Sequence, residues 1–222
     1  MSYSQNGQDM AVVELFGGEK GLHFIELGAG NGRELSNTLL LEEQYSWAGM
    51  LVEASPLSFS ALQANRPNTI NVNTLLWDEA GQMLKFWLRD GWMSRIVDQP
   101  DVKNPMESRK VHRDRQRAAV DGRLIELETD TLYNVIQQHY RYAWEGSCAV
   151  YPSLIDFMSV DLEGAEDMVL RDFPYPDYQV RCLCIDRPST ELSARLLGAG
   201  NYLKWGVLGE DTLFIHKESG LI

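Results

Sequence analysis

The chain of 222 residues has three cysteines, Cys148, Cys182 and Cys184. An odd count with no framework spacing excludes a disulfide-stapled secreted scaffold. Cys182 and Cys184 stand two apart in "QVRCLCID", a spacing that puts both on one face of a strand as small buried hydrophobes. Long apolar runs are missing too. No window approaches the ~20 residues of a membrane span, and "MSYSQNGQDMAVV" lacks the basic-then-apolar order of a secretory signal. Positive charge is scarce: 20 Lys and Arg stand against 32 Asp and Glu, a formal net charge of −12. A field of that sign repels phosphate backbones and anionic lipid, so neither nucleic acid nor membrane is expected as a partner. The composition fits a reducing, cytoplasmic setting and leaves the oligomeric state open.

What is present is ordinary for a globular chain, 44% apolar and 23% charged, and the length suits one α/β domain over residues 1–222. Apolar runs alternate with helical patterns. Strands are expected at 22–27, 49–54, across "TINVNTLLW", at "MLKFWLRD", "RLIELET", "SLIDFMSVDLEG" and "YQVRCLCIDR", with a terminal hairpin turning near Gly209. Helices are expected at 8–16, in "SNTLLLEEQYSW" with Ser36 as its N-cap, from Pro56, in "DTLYNVIQQHY", in "AEDMVLRDF" and in "STELSARLLGAG". This alternation predicts a mostly parallel sheet covered on both faces. Residues 91–122 are polar, carry two prolines and lack a clean period. They read as a long loop or lid.

The stretch "HFIELGAGNGRELSNT" carries the chemistry. A buried strand runs into three glycines, Gly28, Gly30 and Gly32, which let backbone approach a ligand. A dinucleotide fingerprint would place its third glycine at position 33, which is Arg33. That departure counts against an NAD- or nucleotide-sugar-linked oxidoreductase on a similar sheet. Glu26 ends the first strand and suits an ammonium group. Glu53 ends the second and can accept both hydroxyls of a ribose. An adenosine with a cationic amino-acid tail, S-adenosylmethionine, satisfies all three features. The bland alternative is a tight turn with two solvated carboxylates, or a non-catalytic domain that keeps the fold.

Over nearly its whole length the chain resembles the FkbM family of S-adenosylmethionine-dependent methyltransferases. The residues that carry the resemblance are "YSQNGQD", "FIELGAGNG", "SNT", "WAGMLVEASP", "NRP", "IDFMSVDLEGAE" and "DTLFIHK". It implies a class I methyltransferase fold, Rossmann-like, with a seven-stranded mostly parallel sheet, a terminal antiparallel hairpin and helices on both faces. It also implies O-methylation of a small molecule or saccharide. Glu26, Gly28, Gly30 and Gly32 would take the methionine end of the cofactor and Glu53 the ribose. Leu75, Trp77 and Asp78 would flank the adenine, while Gln5 and Asn37 close over the cofactor.

Methyl transfer to oxygen needs something to take the hydroxyl proton, either a base or a metal that lowers the hydroxyl's pKa. Asp161 stands where the strand in "IDFMSVDLEG" ends, and Asp186 ends the next. Neighbouring parallel strands lie ~4.8 Å apart, so the two carboxylates can share a divalent ion such as magnesium. The alternatives are a helix cap for Asp161 and a salt bridge to Arg187 for Asp186. Glu163 and Glu166 read as first-turn helix acids. In "ESRKVHRDRQR" the basic residues, Arg109 and Arg113 among them, can clamp an acidic group on the substrate or simply form a solvated face. His112 and His139 are bases by type alone. Trp87, Trp92 and Trp144 can wall a sugar site or pack a core.

Overall fold

The computed structural model describes residues 2–89, 93–97, 113, 116–140 and 154–222. Its main sheet has seven strands: β1 (His23–Leu27), β2 (Ala48–Glu53), β3 (Ile70–Asn73), β8 (Leu154–Val160), β9 (Gln179–Asp186), β10 (Tyr202–Leu208) and β11 (Asp211–His216). They lie in the order β10-β11-β9-β8-β1-β2-β3, and β11 alone runs antiparallel between two neighbours. The series β3-β2-β1-β8-β9 is a doubly wound order with its reversal between β1 and β8. The terminal hairpin adds the antiparallel pair. This is the class I methyltransferase arrangement expected from the sequence.

The central strands are near-continuous apolar runs because both faces are covered. β8 is buried at every position but its first, and β9 is buried at all but two. One face packs with Ile25, Met50, Met158 and Leu183, the other with Phe24, Leu51, Phe157, Cys182 and Cys184. Both cysteines are free and buried on one face, as their spacing predicts. Burial pushes the Cys182 thiol up to about 12, so it packs as a hydrophobe.

A second sheet departs from the expected reading. It comprises β4 (Leu75–Trp77), β5 (Met83–Trp87), β6 (Arg95–Ile96) and β7 (Leu124–Thr131), in the order β4-β7-β5-β6. "TINVNTLLW" is thus two strands. The chain leaves the main sheet at Thr74, where an alternating pattern, "INVN", gives way to three consecutive buried residues, "LLW". The first suits a sheet edge and the second a strand covered on both faces. The 91–122 segment likewise is not all loop: β6 pairs with β5, and 116–121 are helical. Arg109, Lys110, His112, Trp92 and Trp144 lie outside the described residues.

Helix boundaries shift in the same physical way. The helix after the glycine loop spans Leu39–Tyr45 with Thr38 at its N-cap, two residues later than a Ser36 cap would start it. Ser36 Oγ nevertheless accepts from the amides of Thr38 and Leu39, at 3.2 and 3.1 Å. "DTLYNVIQQHY" is α-helical over Leu132–Val135 and π-helical over Ile136–Tyr140. "AEDMVLRDF" is helical only over Glu166–Val169 and continues as tight turns.

Candidate functional site

The carboxyl ends of β1, β2 and β8, with the start of β4, open on one cleft. Gly28 follows β1 at φ +80°, and a Cβ there would stand 1.8 Å from the carbonyl oxygen of Asp161. Only glycine lets the ends of β1 and β8 close up so tightly. The Gly28 amide donates to Val52 O at 2.9 Å and that of Asp161 to Leu27 O at 3.1 Å. Three strand ends are thereby tied beneath the turn.

Glu53 is buried, and its two oxygens accept the amides of Gly30 and Ser55 at 2.8 and 2.7 Å. Burial pushes its carboxyl up to about 7, against the pull of those amides. It faces a small cavity walled by Leu75, Phe86, Ile96 and Leu162, with Gly28 and Gly30 at its edge. The second sheet supplies most of that apolar wall. Phe86 and Ile96 carried no motif, and only the topology brings them here; Leu162 lies in the "IDFMSVDLEGAE" motif but was not singled out.

The wider part of the cleft is lined by Gln5, Glu26, Gly28, Gly30, Asn37, Asp161, Glu163, Asp186 and Arg187. The N-terminal segment reaches it because buried Asp9 accepts from Ser2 Oγ, the Tyr3 amide and Ser4 Oγ at 2.6, 2.7 and 2.8 Å. Gln8 Nε2 adds a bond to Asp211 at 2.8 Å. These contacts explain the "YSQNGQD" pattern and leave Gln5 exposed to the cleft. Asn37 donates from Nδ2 to Ser159 at 2.9 Å. Its Oδ1 is buried and, among the described residues, accepts from no group.

Glu26 behaves differently from expectation. Its Oε2 accepts from Ser36 Oγ at 2.9 Å and Thr38 Oγ1 at 2.6 Å, and its Oε1 from the Asn37 amide at 2.8 Å. The carboxylate is therefore committed to the loop rather than offered to an ammonium group. Arg66, 1% exposed and missed as a site residue, completes this buried knot. It donates to Gly32 O, Ser36 Oγ and Thr38 Oγ1 at 3.0, 3.2 and 3.1 Å and pairs with Glu42. The "NRP" motif, placed beside "SNT", could have signalled it. Gly32 is a correction as well: a Cβ there would meet Leu62 Cδ1 at 2.4 Å, so it makes room for the helix Pro56–Asn65 rather than for a ligand. Trp77 and Asp78 do not reach the cleft either. Trp77 is buried in the core and Asp78 pairs with Arg171, because β4 turns both into the second sheet. Of the proposed adenine flank only Leu75 remains.

Asp161 opens onto the cleft, and among the described residues no donor reaches its carboxylate. The surrounding protein, then the charges of Asp186, Glu163, Glu166 and Asp211, push its carboxyl up to about 8. Its exposure discounts the burial share of that shift; the neighbouring acids keep theirs. Asp161, Glu166 and Asp186 bring one oxygen each within 4.8 Å of one another. A divalent ion fits this set poorly. Arg187 already holds both Asp186 oxygens, with Nε at 3.0 and 2.8 Å, and Glu166 Oε1 accepts the Leu162 and Gly164 amides at 2.8 and 3.1 Å. The salt bridge considered for Asp186 is what forms, and Arg187 supplies the counter-charge a metal would bring. Leu35, Glu163 and Arg187 all line the cleft at positive φ, 60°, 54° and 40°. Backbone in that region costs a non-glycine residue on the order of 1–2 kcal/mol, and such residues gather at functional sites. His139 is exposed and faces none of these cavities.

No family model matches the chain, and no curated protein does. Solved structures similar to parts of it include an S-adenosylmethionine-dependent methyltransferase from Geobacter sulfurreducens, in complex with S-adenosyl-L-homocysteine. It is 10% identical, with a TM-score of 0.29 over 36% of this chain and 34% of that one. M. capricolum TrmK, solved with the same cofactor product, is 7% identical at a TM-score of 0.41, over 92% of this chain and 66% of that one. A human methyltransferase 10 domain containing protein is 11% identical at 0.45, over 93% and 78%. The chain thus spans about a third of the first structure's length and just under two thirds of the second's.

Proposed function

We propose that the chain is an S-adenosylmethionine-dependent methyltransferase that methylates a hydroxyl group of a small molecule or saccharide, as its resemblance to the FkbM family implies. The observation that carries the reading is a shared turn with two kinds of acceptor beside it. Glu53 lines an apolar cavity and Asn37 Oδ1 is a buried acceptor without a donor among the described residues; Gly28 and Gly30 edge both spaces. A ribose meets Glu53, an adenine suits the Leu75, Phe86, Ile96 and Leu162 wall, and an ammonium group satisfies Asn37 Oδ1 with Gln5 alongside. A buried acceptor left unmatched costs on the order of 1–3 kcal/mol, which a donating ligand recovers.

The bound cofactor supplies an electrophilic methyl group on a sulfonium. The chain's own residues must hold the acceptor oxygen near it and take the hydroxyl proton. Asp161 is the residue placed to do so: once ionised, its carboxylate accepts the proton. The net charge of −12 favours a small acceptor over a nucleic acid. Calorimetry tests the reading, with S-adenosylhomocysteine expected to bind and NAD not to. Methyl transfer to hydroxylated metabolites then tests the reaction. NAD binding without S-adenosylhomocysteine binding would overturn it.

A further inference from the structure

Charges of both signs line the cleft. Asp161, Glu163, Asp186, Glu210 and Asp211 are among its acids, and two of its arginines are already spent: Arg95 pairs with Glu163, and Arg187 with Asp186. The same cleft is lined by Arg89, two residues beyond β5, by Arg113, and by Arg117 of the helical 116–121. Among the described residues none of these three makes an ion pair within 4 Å. Arg89 instead lies over the Trp87 ring, 4.7 Å from its centroid, which fixes its guanidinium plane. The same three arginines also line a second, more open hollow with Trp87, Arg123 and Asp121, whose carboxylate pairs with Arg123 and feels the charge of Arg89. One basic wall is therefore shared between the cleft and an adjoining hollow in a strongly acidic protein.

Guanidinium groups gathered on one wall with no ion pair within 4 Å among the described residues repel one another, and an oxyanion relieves that repulsion. Guanidinium groups also match phosphate and carboxylate geometry in paired hydrogen bonds. We infer that the acceptor is anionic: a hydroxylated small molecule that presents its hydroxyl to Asp161 and sets a phosphate or carboxylate against Arg89, Arg113 and Arg117. The acids that surround Asp161 repel such a group, which favours the hydroxyl end of the acceptor beside Asp161. This rests on the methyltransferase reading for the role of Asp161, but the oxyanion site stands on the arginines alone.

The test is a titration of glucose 1-phosphate, glucuronate and glucose into the full chain, with and without S-adenosylhomocysteine. At least one anionic probe is expected to bind, more weakly as salt is raised, while glucose does not. Whichever of the two binds tells phosphate from carboxylate. Arg89→Gln with Arg117→Gln is expected to weaken that probe by roughly tenfold or more, the scale of losing charge-assisted bonds. S-adenosylhomocysteine affinity should stay within about twofold, since neither residue lines the Glu53 cavity. Failure of both anionic probes, or binding that survives the double substitution unchanged, overturns the proposal. If the probe binds through the arginines and S-adenosylhomocysteine does not bind, the oxyanion site stands and the methyltransferase reading falls. The reverse outcome separates the two the other way.

Discussion

Glu26 and Asp161 stand at the ends of adjacent parallel strands, and their surroundings are opposite. Glu26 is 5% exposed, accepts from three groups of the Ser36–Thr38 loop and has the Arg66 guanidinium 4.0 Å away. Asp161 is open to the cleft, meets no donor among the described residues and faces four other acids. One carboxylate has been used to build the turn; the other carries no hydrogen bond among the described residues. The rule extends to the cations: Arg66 is buried, whereas the Arg187 side chain is 46% exposed. Satisfied groups fix the half of the cleft that would hold the cofactor; frustrated ones face the half that would hold the acceptor.

The harshest way to break this contrast is to separate the two strand ends. Gly28→Ala drives a Cβ into the Asp161 carbonyl and forces the left-handed region on a residue that resists it. Loss of all measurable S-adenosylhomocysteine binding is expected by calorimetry. Gly81→Ala is the control: its φ is also +80°, but a Cβ there meets nothing within 4 Å. It should cost only the ~1–2 kcal/mol of backbone strain. Equal effects at the two positions would show that the strand-end contact is not what matters.

The two arginines offer the next test. Arg66→Met leaves Glu26 and Glu42 buried without their cation, and breaking a buried pair costs about 3–5 kcal/mol. Urea unfolding should show a loss of that size. Arg187→Met, at a partly exposed pair, should cost about 1 kcal/mol or less. If the two losses are alike, Arg66 is not the keystone of the loop.

A third prediction concerns Asp161, whose contribution lies in turnover rather than stability. Asp161→Asn keeps the shape and should lower kcat by roughly 10²-fold or more, the scale of lost acid–base help. With its carboxyl held above the ordinary carboxylate range by the neighbouring acids, parental kcat/KM should climb with pH above that range and level off by about 8. The variant should lack that rise. Chelator should leave parental turnover unchanged, because Arg187 holds the place of a cation. Loss on chelation, restored by magnesium, would reinstate the metal.

The sequence made the satisfied half only partly legible. Strand alternation, the glycine loop and the acids at 26, 53 and 161 all stand where their patterns placed them. The pattern could not tell which acid is spent, since Glu26 and Asp161 look alike until the Ser36–Thr38 loop folds back onto one of them. Trp77 and Asp78 were misplaced for a related reason. A strand that changes sheets keeps its apolar signature but reverses its neighbours. Phe86 and Ile96 were invisible because an apolar residue on a short strand has no sign of what cavity it will line.

The smallest effect sits on Glu53, which shares features of both halves: held by two amides like Glu26, yet raised to about 7 like a site acid. Ribose hydroxyls donate to the ionised form, so binding must draw the carboxyl downward and release a proton. At pH 7 roughly half a proton should leave per S-adenosylhomocysteine bound, seen as a dependence of the calorimetric heat on buffer ionisation. Affinity should tighten as pH rises through 5 and 6, approaching about tenfold per unit well below the raised value, and flatten above 7. Stability of the free protein moves in the opposite sense. The unfolded carboxyl loses its proton first, near its ordinary value, so stability falls as pH rises from there to about 7 and is constant beyond. Glu53→Gln should bind more weakly above pH 7, and neither its affinity nor its stability should show the Glu53-linked change over that window. A parental affinity flat from pH 5 to 8, with no proton released, would mean that the ribose is held elsewhere and that Glu53, like Glu26, belongs to the scaffold.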